Sequence, residues 1–196
     1  MKTAIILHGR PSKKGYYDSS RKNAQSNSHW LPWLQHELVI RDVLAQTPEL
    51  PKPYLPVYED WKELFEQFII DSETILVGHS CGAGFLVRWL SEENRKVGKV
   101  VLVAPWMNPK GFENKEKEID ENFFKFKIDP DIVSKTAGIT VFYSGDDMES
   151  VQKTVEILED NTKDIKFTEF HGYKHFTFND MQTREFPELI EECISK

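Results

Sequence analysis

The sequence predicts an α/β protein: a three-layer α/β/α sandwich built on a mainly parallel sheet. Two observations carry the class. Short runs such as Ala4-Ile5-Ile6-Leu7, Thr74-Ile75-Leu76-Val77 and Val100-Val101-Leu102-Val103 are continuously apolar rather than alternating, as strands buried on both faces are. Stretches of helical periodicity separate them, and strands joined through helices pair in parallel with helices on both faces. A third observation sets the extent. The chain has 196 residues with no repeat, low-complexity tract or linker, so 1–196 reads as one domain that buries most of its apolar surface.

The elements follow in order. Ala4 to Leu7 is a buried strand running into His8-Gly9, and the polar residues 10–28 form a long loop. Ser28 reads as the N-cap of a helix over His29 to Gln46, with Trp30, Trp33/Leu34, Leu38 and Val43/Leu44 near helical spacing. Pro32 falls in its first turn, where proline is tolerated. Trp30 and Trp33 are expected in the core. Tyr54 to Val57, among prolines, fits an edge strand. A helix over Asp60 to Ile69 carries Trp61, Leu64, Phe65 and Phe68 on one face. Strand Thr74 to Val77 leads into an apolar helix from Cys81 to Glu93, and Val100 to Ala104 is the next strand. Residues 107–136 are charged and irregular, with a solvated surface helix expected in the lysine- and glutamate-rich part. Strand Ile139 to Tyr143, a helix over Glu149 to Glu159, strand Ile165 to Phe170 and a helix over Thr183 to Ile194 complete the chain.

Composition narrows the function. Charged residues are 29%, hydrophobic residues 39% and net charge is −7, an ordinary soluble balance. Lysines and arginines form no stripe, so nucleic acid is not an expected partner. No run approaches the ~18 apolar residues of a membrane span, so no membrane partner is expected. Nothing resembles a signal peptide, and the expected location is the cytoplasm. Two cysteines, Cys81 and Cys193, build neither a disulfide framework nor a zinc site.

Polar residues collect at the carboxyl ends of the strands, where parallel sheets bind ligands. Gly78-His79-Ser80-Cys81-Gly82 fits G-x-S-x-G between a strand and a helix. There the serine takes a strained turn, and a Cβ on either glycine would strike the neighbouring strand or helix. The Cys81 N–H then begins a helix and faces a developing oxyanion. A serine nucleophile needs a base, and the base an orienting carboxylate, in the chain order Ser, Asp or Glu, His. Ser80, the pair Asp146-Asp147 and His175 supply that order, with His171 the competing histidine. One aspartate can orient the base while the other caps the following helix. Cys81 itself is expected to be a small buried hydrophobe.

These motifs resemble a family: the small α/β-hydrolases of the retinoblastoma-binding protein nine type, serine hydrolases without a large cap. The resemblance covers nearly the whole chain. It rests on residues 4–9, His29-Trp-Leu-Pro-Trp33, Glu59-Asp-Trp61, residues 77–82, Val101 to Val103, Ser144-Gly-Asp-Asp147 and His175-Phe176. It implies an α/β-hydrolase fold, a triad of Ser80, Asp147 and His175, and oxyanion donors at the N–H groups of Cys81 and Arg10. Lys174 stands where the family usually has glycine, and the L-x-C-x-E motif for retinoblastoma protein is absent. The expected chemistry is hydrolysis of a small ester, thioester or amide, with no cofactor or metal. The pocket mouth is expected from residues 10–28 and 107–130, with Gly9, His79, Trp106 and Phe176 as lining. The rival expectation is a non-catalytic binding module on the same fold, which would keep the sheet and lose one triad member or the oxyanion geometry; His175 more than about 6 Å from Ser80 would rule out the enzyme.

Overall fold

The polypeptide forms six parallel strands in the order β2-β1-β3-β4-β5-β6. These are β1 (Thr3–Leu7), β2 (Leu44–Gln46), β3 (Ile75–His79), β4 (Val100–Val103), β5 (Ile139–Ser144) and β6 (Lys166–Phe170). The computed structural model describes residues 1–20, 23–107 and 120–195. Register is continuous across the middle of the sheet, with Ile5 opposite Leu76, Leu76 opposite Val100 and Val100 opposite Ile139. Every residue of β3 and β4 is buried. This is what a continuously apolar run needs: a sheet covered on both sides.

Among the described residues, seven helices connect or follow the strands: α1 (Lys13–Tyr16), α2 (Leu31–Val39), α3 (Tyr58–Phe65), α4 (Cys81–Glu92), α5 (Glu149–Asn161), α6 (Phe178–Met181) and α7 (Pro187–Ile194). Helix α3 shows the local logic. Tyr58, Trp61 and Phe65 share one buried face, and Glu59 and Asp60 sit in the first turn, where the helix dipole favours negative charge. The chain leaves β1 toward β2, then crosses back to β3 and continues the other way. The strand order therefore reverses between β1 and β3, and the crevice above their carboxyl ends is the place such sheets offer a ligand.

Four expectations are corrected. The helix expected to Gln46 stops at Val39, and Leu44–Gln46 is the edge strand β2. Trp30, Leu34 and Leu38 do form the buried helical stripe. Asp42, at φ 61, then turns the chain, and the Leu44 N–H joins the Lys2 carbonyl. A three-residue strand that buries only Ala45 is too short to show a period of two. Tyr54 to Val57 is not a strand; with Pro51, Pro53 and Pro56 lacking donors, this stretch turns, and the Leu55 N–H reaches the Lys52 carbonyl. Ser28 closes a 3₁₀ turn over Gln25–Asn27, and Trp30 precedes α2. The last helix starts at Pro187 instead of Thr183, and a separate short helix precedes it. Thr177 and Asp180 form a capping box that starts α6, Gln182 ends it at φ 57, and Pro187 begins α7. The loop 10–28 contains α1, and 3₁₀ turns occupy Glu121–Phe124 and Ile132–Lys135. The surface helix expected around residues 110–118 lies outside the described residues.

Candidate active site

Ser80 follows β3 directly, with φ 54 and ψ −118. An L-residue in that conformation costs on the order of 1–3 kcal/mol and persists only when its surroundings hold it. They do. The Ser80 N–H donates to the Val103 carbonyl (2.9 Å), and the Ser80 carbonyl accepts from the N–H groups of Gly84 and Trp106, both at 3.1 Å. The flanking glycines answer to close packing. A Cβ on Gly78 would lie 2.6 Å from the Ala83 backbone in α4, and one on Gly82 would lie 2.6 Å from the His8 oxygen beyond β1. The turn thus wedges Ser80 between β1, β4 and α4.

The loop after β1 completes one wall. A Cβ on Gly9 would lie 2.9 Å from the Ser80 Cβ, so the Gly9 backbone rests against the serine. His8 holds that backbone. Its Nε2 accepts from the Leu50 N–H (2.9 Å), which leaves the ring proton on Nδ1, and Nδ1 donates to the Gly9 carbonyl (2.8 Å). A trans peptide is planar, so fixing the Gly9 oxygen also fixes the direction of the Arg10 N–H. The Arg10 side chain turns away, its Nε donating to the Tyr54 carbonyl at 3.0 Å.

His175 faces the serine from the loop after β6. Its Nε2 lies 2.9 Å from Ser80 Oγ, and its Nδ1 lies 3.0 Å from both carboxylate oxygens of Asp147. The Asp147 side chain is only 1% exposed, and its Oδ1 also accepts the Met148 N–H (2.6 Å). An ionised carboxylate only accepts. The proton between His175 and Asp147 therefore belongs to Nδ1, and Nε2 offers its lone pair to the serine hydroxyl. Asp146 has a separate task. Its Oδ1 accepts the Ser144 hydroxyl (2.5 Å) and the Lys174 N–H (3.2 Å), tying β5 to the histidine loop. The Ser144 hydroxyl, with help from the Lys174 N–H, holds the Asp146 carboxyl below its ordinary value. Lys174 has φ 43 and Phe176 φ 55, so the position where the resembled family carries glycine is one that glycine adopts most easily.

The other candidates are placed as follows. His79 and Trp106, expected as pocket lining, are instead buried beside the elbow, each only 2% exposed. Burial, followed by the proximity of His175 and His29, pushes the His79 imidazole well below its ordinary value. The Cys81 thiol is fully buried, and burial pushes its titration upward. Phe176, expected as pocket lining, is instead fully buried against Phe170, Tyr173 and Phe186, which leaves no ring surface for a ligand. His171 points to solvent, its side chain 85% exposed. The sequence reading did not anticipate the clamps at His8 and Asp146. The dipeptide His8-Gly9 was a visible signal, but the partner that fixes its ring, Leu50, lies 42 residues away.

Comparison with known proteins bears on the family and the fold. The family model for serine hydrolases matches residues 14–178. The YdeN protein of Bacillus subtilis (strain 168) is 33% identical over 85 residues, which span 41% of this chain and 45% of that protein's length. The crystal structure of the ydeN gene product superposes with a TM-score of 0.73 at 21% identity, over 97% of this chain and 96% of that one. A monoacylglycerol lipase from Paleococcus ferrophilus superposes at 0.63 with 13% identity, over 96% of this chain and 92% of that one. Both structures share the α/β-hydrolase fold seen here. By that family match, which covers most of its length, the chain belongs to the serine hydrolases.

Proposed function

We propose that the protein hydrolyses a small ester, thioester or amide through an acyl-enzyme on Ser80. One observation carries the reading: a single hydrogen-bonded chain from Ser80 Oγ through His175 to the buried Asp147 carboxylate. The bare Nε2 of His175 takes the serine proton as Oγ attacks the carbonyl carbon. The same nitrogen returns the proton to the leaving group, then activates water to release the acid. Asp147 holds the ring orientation and stabilises the imidazolium. The N–H groups of Cys81 and Arg10 are the oxyanion donors in this scheme; the first begins α4 and the second is aimed by the His8 clamp. The motifs quoted above support the retinoblastoma-binding protein nine type within the family. The 2.9 Å contact favours an enzyme over a binding module.

The test is labelling by a fluorophosphonate probe, comparing the native protein with Ser80→Ala, His175→Ala and Asp147→Asn. The expected result is no labelling of the serine variant and a loss of about 10³-fold or more in labelling rate for the other two. Folded native protein that stays unlabelled would defeat the proposal.

A further inference from the structure

We propose that His79 is a positioning residue: its ring N–H, bonded to the main-chain carbonyl of His175, holds the loop that presents the catalytic imidazole to Ser80. The inference rests on the acyl-transfer reading above and adds a role for the residue before the nucleophile.

The tautomer follows from the partner. His79 Nε2 lies 2.9 Å from the His175 carbonyl oxygen. A carbonyl only accepts, so Nε2 carries the proton and Nδ1 is bare. Nδ1 is buried and meets no donor among the described residues, so the ring directs its polar bonding to the His175 carbonyl. It is 2% exposed, and the rings of Trp30 and His29, each with its centroid 5.6 Å away, stand edge-on to it. A ring so enclosed is fixed in orientation.

The loop has reason to need this bond. Lys174 and Phe176, on either side of His175, both take left-handed conformations that side chains disfavour. Asp146 holds the Lys174 N–H, and the Phe176 N–H donates to the Tyr173 carbonyl (2.8 Å). Among the described residues, His79 supplies the hydrogen bond to the main chain of His175 itself. The His79 and His175 rings lie 5.2 Å apart, tilted by 43°. At that distance a charged His79 would oppose the imidazolium that forms on His175 during acyl transfer. Burial keeps His79 neutral, so it holds the loop without opposing that charge.

A buried histidine that merely fills space would be replaced equally well by any side chain of its size. Gln and Met separate the two cases, because they are similar in length and only Gln presents a donor where Nε2 stands. His79→Gln, His79→Met and His79→Phe are compared with the native protein by kcat and KM on p-nitrophenyl acetate, fluorophosphonate labelling rate and circular dichroism. The expected result is a kcat and labelling rate roughly 10- to 100-fold lower for Met and Phe, KM within about threefold, and near-native rates for Gln. Met or Phe with native kcat, or folded Gln as slow as Met, would overturn the inference. If Met and Phe fail to fold, nitrogen-15 spectra of the native protein decide. At about pH 8 the neutral ring of His79 must carry its proton on Nε2, and a neutral ring with its proton on Nδ1 overturns the assignment. Native protein that neither labels nor turns over would instead defeat the acyl-transfer reading, and this role with it.

Discussion

Three histidines around Ser80 are given different work by their partners. His8 donates through Nδ1, His79 through Nε2, and His175 is protonated on Nδ1 against Asp147. In each case a neighbour that can only donate or only accept selects the tautomer. The consequence for stability is clearest at His79. Its folded-state value lies well below the ordinary 6.5, chiefly because burial disfavours the charged ring, with His175, His29 and His8 adding to the effect. The unfolded chain therefore binds a proton near pH 6.5 that the native state refuses. Stability should be unaffected by His79 above that pH and fall as pH drops below it, by up to about 1.4 kcal/mol per pH unit for this one group. Urea unfolding of native protein and His79→Gln at about pH 7.5 and about pH 5.5 reads it, with a smaller acid loss expected in the variant. An equal loss in both would assign the acid sensitivity elsewhere.

Among the elements, the junction of β3 and α4 governs the site. Helix α4 is buried nearly all round, with Phe85, Leu86, Val87, Trp89 and Leu90 all in the core. It can approach the sheet closely only because Gly78 and Gly82 lack side chains. Gly82→Ala would place a methyl group 2.6 Å from the His8 oxygen and 2.8 Å from the Leu7 oxygen, and neither backbone atom can swing aside. We expect a loss of about 1–3 kcal/mol in stability. Because His8 clamps Gly9, a drop in labelling rate beyond the fraction unfolded should accompany it. Thermal melts with labelling of the folded fraction read both, and native stability in this variant would show that the contact relaxes freely. The elbow and its glycines were legible because the motif is local. The helix after residue 28 ends at Val39, short of the Gln46 that the spacing predicts, because Val43 and Leu44 extend the helical spacing while the turn at Asp42 is set by pairing with β1.

For the whole molecule, the parallel sheet makes protection uneven. β1, β3, β4 and β5 pair on both sides, whereas β2 and β6 are edges, and β6 is partly exposed along its length. Native-state hydrogen exchange should show the slowest amides in β3 and β4, opening only with global unfolding, and faster exchange in β2 and β6. Uniform protection across all six strands would contradict this. The same architecture assembles the site. Ser80, Asp147 and His175 leave three different strands, β3, β5 and β6, and meet because parallel strands end on the same side. Phe176 reaches the core rather than the pocket because the aromatic cluster of Phe170, Tyr173 and Phe186 lies on its side of the loop.

Class, strand runs, elbow and the order Ser, Asp, His were readable along the chain, because each depends on residues within a few positions of one another or on simple sequence order. The clamps were not. Leu50 on His8, Asp146 on Lys174 and His79 on His175 join residues between 28 and 96 positions apart. Their bonds exist only once the sheet has fixed which strand ends are neighbours. Orientation, tautomer and proximity are properties of three-dimensional packing, and local spacing carries no record of them.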